Sequence, residues 1–223
     1  QKNIWCERVF APWLDMENVL RENNIPLFAL ESKDDLKDFD IIGFTLQYEM
    51  SYTNILNMLD LANIPVRSKD RDDSMPLIIA GGPCAFNPEP LYNIIDLFTI
   101  GESEELVLEL TDLYIQKKKE GWSKDEFLEK AAQIEGVYVP KFYYVVYNED
   151  GTIKERKSLN PNVPETIKRR IINDMDKSYF PEKMVVPYID TVHDRVVLEI
   201  LRGCLRGCRF CQAGMLYRPF REK

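Results

Sequence analysis

PLIIAGGPCAFNPEPLYNIIDLFTIG occupies residues 76–101. It holds two apolar runs of strand length, PLIIAGG at 76–82 and DLFTIG at 96–101, each closed by glycine. Neither run alternates apolar with polar residues, so each reads as a strand buried on both faces. Between them PEPLYNII, residues 88–95, reads as a short helix opened by proline. Buried strands alternating with helices predict a parallel sheet covered on both sides.

The same grammar extends in both directions. IIGFTL at 41–46 is a third buried run. SYTNILNMLDLANI at 51–64 places Ile55, Met58, Leu59 and Ala62 at helical spacing, and Ile64-Pro65 closes it. Further upstream CERVFAP, residues 6–12, reads as a strand, and Asp15 is placed to cap a helix over DMENVLREN. Downstream, SEELVLELTDLYIQKKKEG at 103–121 has acids at its start, lysines at its end and Gly121 just past it, as the helix dipole and cap rules favour. Ser123 and Glu126 form a capping box for a further helix to Ile134. Residues 1–135 are therefore expected to form a Rossmann-like α/β domain.

Ligands of such sheets sit beyond the carboxyl ends of the strands. Here those ends are Thr45-Leu46-Gln47, Gly81-Gly82-Pro83 and Gly101-Glu102-Ser103. On the residues alone, Gly81-Gly82-Pro83 also reads as a tight turn. Cys84 beside it reads as a small buried hydrophobe or as a cleft residue. Glu102, Glu104 and Glu105 suit a helix start whatever else they do.

From Gly136 the pattern changes. VYVPKFYYVVYNEDGTIKERKSL, residues 137–159, alternates apolar and polar residues around Asp150-Gly151, a hairpin signal. Asn160 to Pro164 reads as a linker, and the stretch 165–190, with Lys168, Arg169 and Arg170, carries no clear periodicity. Residues 136–194 are expected to form a small α+β connection. RVVLEILRG at 195–203 then reads as a buried strand that leads into RGCLRGCRFCQAG, residues 202–214.

The whole chain has 223 residues, 45% of them hydrophobic, with a formal net charge of −8. That size can bury a real core, and the net charge does not suggest a nucleic-acid binder. Charge is uneven, however: Arg202 to Arg221 holds five arginines and no acid. RNA binding by this stretch has only its charge behind it. Apolar runs are short and no signal-peptide pattern is present, so neither a membrane span nor secretion is expected. Five cysteines, three of them clustered, argue against a disulfide framework and for a reducing cytoplasm. The chain opens at Gln1 without methionine and stops just past the cysteines, so a fragment of a longer protein is expected.

Cys204, Cys208 and Cys211 are spaced by three and then two intervening residues. Clustered thiolates in a reducing compartment point to a soft metal. A structural zinc site needs four N or S ligands, and the single histidine, His193, lies eleven residues upstream. Three thiolates with an open position suit an iron–sulfur cluster, whose negative charge the neighbouring arginines would offset. A zinc knuckle on a non-catalytic Rossmann-like binding module remains the alternative. His193 beside Asp194 reads as a strand-start residue or a proton-transfer group. Tyr217, Arg218 and Arg221 read as surface residues or as contacts for a carboxylate or phosphate.

The motif Cys204-x3-Cys208-x2-Cys211, with Phe210 before the last cysteine, resembles the cluster motif of radical S-adenosylmethionine enzymes. GGPCAFNPEP and DLFTIGESEE resemble the second half of the cobalamin-binding-type Rossmann domain that precedes the radical barrel in one large subgroup. The chain as a whole resembles a bacterial family of that fused architecture. The resemblance implies a 4Fe–4S cluster on Cys204, Cys208 and Cys211, with S-adenosylmethionine chelating the fourth iron and Phe210 against its adenine. It implies reductive cleavage to a 5′-deoxyadenosyl radical, hydrogen abstraction from an unknown substrate, and an electron donor as partner. It also implies that Thr45, Gly81, Gly82, Gly101 and Glu102 face a cofactor, and that residues 195–223 start the radical barrel. The first strand of the cobalamin-type domain is missing from the pattern. The loop motif Asp-x-His-x-x-Gly, which belongs after that strand, does not occur. Cobalamin is therefore an open expectation, and the fragment alone is expected to be inactive.

Overall fold

The structure is a computed structural model that describes residues 4–183, 190, 192 and 195–223. The chain divides into two compact units, Gln1–Arg170 and Ile171–Lys223.

The first unit is built on a four-stranded sheet: β1 (Ile41–Thr45), β2 (Leu77–Gly81), β3 (Leu97–Thr99) and β4 (Val137–Tyr138), in that spatial order. β1, β2 and β3 are parallel, and β4 adds antiparallel at the far edge. The register sets Thr45 beside Gly81 and Gly81 beside Thr99, so the three parallel strands end together. Four helices flank the sheet: α1 (Leu14–Glu22), α2 (Tyr52–Leu61), α3 (Leu106–Glu120) and α4 (Lys124–Ala131).

Side chains alternate between faces along a strand, and here each face has its own core. Ile78, Ala80, Phe98 and Tyr138 join Leu20, Ile55 and Leu59, from α1 and α2, on one side. Leu77, Leu97 and Val137 join Leu106, Leu110, Phe127 and Leu128, from α3 and α4, on the other. This is why the strands read as continuous apolar runs: both faces are packed.

The helix boundaries follow the local chemistry. Gly121 takes φ 72°, the left-handed conformation that closes α3 after its three lysines. Ser123 and Glu126 form the reciprocal capping box of α4. Gly151 lies in the turn between β5 (Tyr143–Tyr147) and β6 (Ile153–Ser158), an antiparallel hairpin.

Four local expectations are corrected. Cys6–Pro12 forms no strand. Asp15 lies in the first turn of α1, and the capping position is Trp13. Residues 88–95 hold only a single 3-10 turn, Glu89–Leu91, and no α-helix. Of the expected strand at 195–203 only β7 (Leu201–Arg202) forms, paired with β8 (Arg221–Glu222). Val196, Val197, Leu198 and Ile200 are exposed. A strand is held by its neighbours, and among the described residues this one has a two-residue partner.

Candidate functional site

Two groups of residues carry chemistry: the carboxyl edge of the sheet in the first unit, and the cysteine loop in the second.

At the carboxyl edge the strands hand over to loops that grip one another. The Leu46 amide donates to the Gly81 carbonyl at 2.7 Å, and the Cys84 amide donates to the Leu46 carbonyl at 3.1 Å. Gly82 has φ 108°, and a Cβ there would lie 2.9 Å from the Leu46 carbonyl oxygen. Gly101 has φ 110°, and its Cβ would lie 2.2 Å from the carbonyl oxygen of Arg170. The Arg170 amide donates to Ile100 at 2.9 Å and the Glu102 amide donates back to Arg170 at 3.0 Å, so residue 170 runs as a one-residue bridge along Gly101. The Arg170 guanidinium then donates to Glu105 at 2.6 Å and to Glu109 at 2.8 Å. The hydrogen bond it donates to Glu105 raises the Arg170 pKa further, against the cost of its partial burial.

These contacts tell what the glycines do. Gly81, Gly82 and Gly101 make room for the chain's own Thr99, Leu46 and Arg170. Thr45 is exposed at the end of β1, and Glu102 is half-buried. Cys84 is buried below the same edge, with Glu49 and Tyr52 in hydrogen-bond contact. Burial, then the Glu49 charge, pushes the Cys84 thiol up, which keeps it protonated and inert.

Sequence reasoning missed two groups here. Arg170 was noted only as one of three basic residues in an unassigned stretch, though its charge could have been matched to the acids after Gly101. The other is a buried tie at the opposite end of the sheet. Arg71 is fully enclosed, donates to the carbonyls of Pro65, Val66 and Ile94, and pairs with Asp96 at 3.1 Å. Asp96 also accepts from the Ile78 amide at 2.8 Å and pairs with Lys124 at 2.9 Å. A charged residue at the start of an apolar strand was the available signal.

The cysteine loop is of another kind. Cys208 is exposed, and Cys204 and Cys211 are half-buried; none is in a disulfide. The Arg206 amide donates to the Cys204 sulfur at 3.4 Å, and the Cys211 amide donates to the Cys208 carbonyl at 3.2 Å. Helix α5 (Gln212–Leu216) follows the last cysteine. Gly203, at φ 89°, lets the loop pass close to Tyr217 and Pro219, and Arg218 donates to the Arg206 carbonyl at 2.9 Å. Arg202 pairs with Glu199 at 2.7 Å, and Arg221 donates to the carbonyl of Ile172. Phe210 is 92% exposed. Among the described residues no three Cys, His, Asp or Glu side chains are gathered tightly enough to hold a metal ion. The donor set nevertheless suits an iron–sulfur cluster: three reduced thiols on one short loop, with an amide already directed at one sulfur. His193 and Asp194 lie outside the described residues. No described helix is long and apolar enough to cross a membrane.

A Rossmann-like sheet in one unit and a cysteine motif in the other define a class, and comparison with known proteins supplies the family. Residues 1–140 match the family described as Radical SAM proteins, N-terminal, and the chain belongs to it. The matched residues end before the cysteine loop. The chain is also 26% identical over 209 residues to the uncharacterized protein MJ0966 of Methanocaldococcus jannaschii, covering 89% of this chain and 36% of that protein. The chain thus spans about a third of the length of this relative.

Proposed function

We propose that this chain is part of a radical S-adenosylmethionine enzyme whose 4Fe–4S cluster is held by Cys204, Cys208 and Cys211. The observation that carries the reading is family membership together with three cysteines, close in sequence on one loop and outside any disulfide. When bound, the cluster supplies one-electron cleavage of S-adenosylmethionine to a 5′-deoxyadenosyl radical, which takes a hydrogen atom from the substrate. That chemistry belongs to the cofactors, and the chain supplies ligands and position.

The residues have separate tasks. Cys204, Cys208 and Cys211 are the ligands. The Arg206 amide donates to the Cys204 sulfur at 3.4 Å and helps fix its position on the loop. Arg206 and Arg209, both exposed beside the cysteines, add positive charge to an anionic site. The exposed ring of Phe210 is the surface for the adenine. An electron donor for the cluster is the partner this reading calls for, beside a substrate it does not name. In the first unit, Thr45 and Glu102 are the ligand-facing residues we propose. Gly81, Gly82 and Gly101 shape the loops of the same edge around the chain's own atoms, and we place them with Thr45 and Glu102 at the ligand-facing edge; no step is assigned to cobalamin.

The test is anaerobic reconstitution of the full-length protein with iron and sulfide, followed by electron paramagnetic resonance of the reduced form with and without S-adenosylmethionine. The expected result is a reduced-cluster signal that shifts on adding S-adenosylmethionine and is absent in Cys208→Ala. Stoichiometric zinc uptake with no cluster and no response to S-adenosylmethionine would overturn the reading and make the loop a structural knuckle.

A further inference from the structure

The first unit holds a cavity of about 470 Å³ against β4, the strand at the edge of the sheet farthest from β1. Tyr138 of β4, Tyr143 of β5 and Phe86 give it aromatic walls, and Ile100 adds an aliphatic one. The polar ends of both tyrosines are already used. Tyr138 donates to Glu89 at 3.2 Å, and Tyr143 donates to the carbonyl of Pro164 at 2.5 Å. A tyrosine whose hydroxyl is satisfied presents its ring as an apolar surface. The two rings adjoin, with centroids 5.2 Å apart.

Charge enters from two other elements, the strand β6 and the segment 165–169. That segment is fixed at both ends: Pro164 through Tyr143, and Arg170 through its bonds with Ile100 and Glu102. So held, it brings Glu165 and the half-buried Arg169 to the cavity wall. β6 brings Arg156, which pairs with Glu89 at 2.9 Å and keeps 43% of its side chain exposed. An exposed pair of this kind holds little energy, and a guanidinium has five N–H donors, so Arg156 can serve a second acceptor. Two cations and one acid at the wall reverse the sign of a chain whose net charge is −8.

We infer that this cavity binds a flat aromatic ring that carries a carboxylate or phosphate. Its volume falls among those of small-molecule sites, which join apolar walls to a few polar groups. The rings of Phe86, Tyr138 and Tyr143 take the flat part by stacking or edge contact. Arg156 and Arg169 take the anion, because a guanidinium matches either group with two parallel hydrogen bonds. Glu165 accepts from a hydroxyl or N–H of the same molecule. A purely apolar molecule makes no use of the guanidiniums, and an inorganic anion makes none of the rings.

The site is distinct from those described above. Neither Thr45, Glu102 nor any glycine of the sheet edge lines the cavity, and every lining residue belongs to the first unit. The inference therefore does not rest on the cysteine loop, and failure of the cluster experiment leaves it untouched.

The test is calorimetric titration of the full-length protein with each of the four nucleoside 5′-monophosphates and, separately, with indole-3-acetate. The matching neutral nucleosides and inorganic phosphate serve as controls. At least one aromatic anion is expected to bind, with the neutral ring or phosphate alone about tenfold or more weaker. Arg156→Gln and Arg169→Gln should each weaken binding about tenfold, in variants whose thermal melts show them folded. Hydrogen exchange should slow in peptides covering 84–101 and 137–170 when the probe is added. Binding of nucleotides but not of indole-3-acetate would assign the anion as a phosphate, and binding of indole-3-acetate would assign a carboxylate. Absence of binding by every aromatic anion would overturn the inference. So would binding that neither substitution weakens, or protection confined to residues 202–214.

Discussion

The carboxyl edge of the sheet and the cysteine loop both set glycines among residues suited to ligands, and the glycines serve different ends. At the sheet edge Gly82 and Gly101 have positive φ, and each is filled to contact by backbone of the same chain. In the cysteine loop Gly203 is similarly crowded, but Gly207, between Cys204 and Cys208, has nothing within 4 Å of its Cβ position. The thiols around it are exposed or half-buried. One region has spent its conformational freedom on its own packing. The other keeps donors on an open loop, the condition in which a ligand completes the structure.

Matched substitutions test this contrast most strongly. Gly101→Ala places a methyl 2.2 Å from the Arg170 carbonyl at φ 110° and is expected to destabilise the first unit by about 3 kcal/mol. Gly207→Ala meets nothing within 4 Å and is expected to cost within about 0.5 kcal/mol. Urea denaturation of the two variants reads the difference. Equal costs would erase the distinction between the regions.

A smaller effect concerns the packing of the sheet unit alone. Burial raises the Tyr114 pKa from 10.0 to about 12, with the Asp40 charge adding to it. Burial and then Glu89 raise Tyr138 as well. A raised folded pKa means the folded state holds its proton longer than the unfolded chain. Stability from Tyr114 is therefore complete below pH 10 and lost as pH rises toward about 12. Tyr114 is partly solvated, so the loss is about 1–2 kcal/mol. Thermal melts between these pH values should fall less steeply for Tyr114→Phe than for the parent.

The gentlest probe is thiol labelling at mildly alkaline pH. Cys208 is exposed, whereas Cys84 is buried with its thiol pushed up by desolvation and Glu49. Iodoacetamide should modify Cys208 well before Cys84, as peptide mass spectrometry would show. Reversed order would mean that the sheet edge, not the loop, carries the reactive sulfur.

Part of this molecule was legible without coordinates. The continuous apolar runs at 41–46, 76–82 and 96–101 announced buried parallel strands, because a strand packed on both faces has no polar positions to alternate. The Ser123/Glu126 box, Gly121 and Asp150-Gly151 fixed local endings, because capping and turns are settled within a few residues. The cysteine spacing was equally plain, since its chemistry lies in residue type and separation. CERVFAP and RVVLEILRG misled for one shared reason: a strand exists only where another strand's backbone meets it, and propensity does not report the neighbour.

The amino-acid sequence by itself determined the α/β class, the helix ends and the three thiols of the candidate cluster. Only the tertiary structure decided that the glycines of the sheet edge accommodate Leu46, Thr99 and Arg170, that Arg71 and Asp96 meet inside the first unit, and that β1, among the described residues, is an end strand of the sheet. The physical reason is range. Periodicity, capping and ligand spacing act between residues close in the chain. Glycine contacts, buried ion pairs and strand order join segments tens of residues apart, and no local pattern records which ones meet.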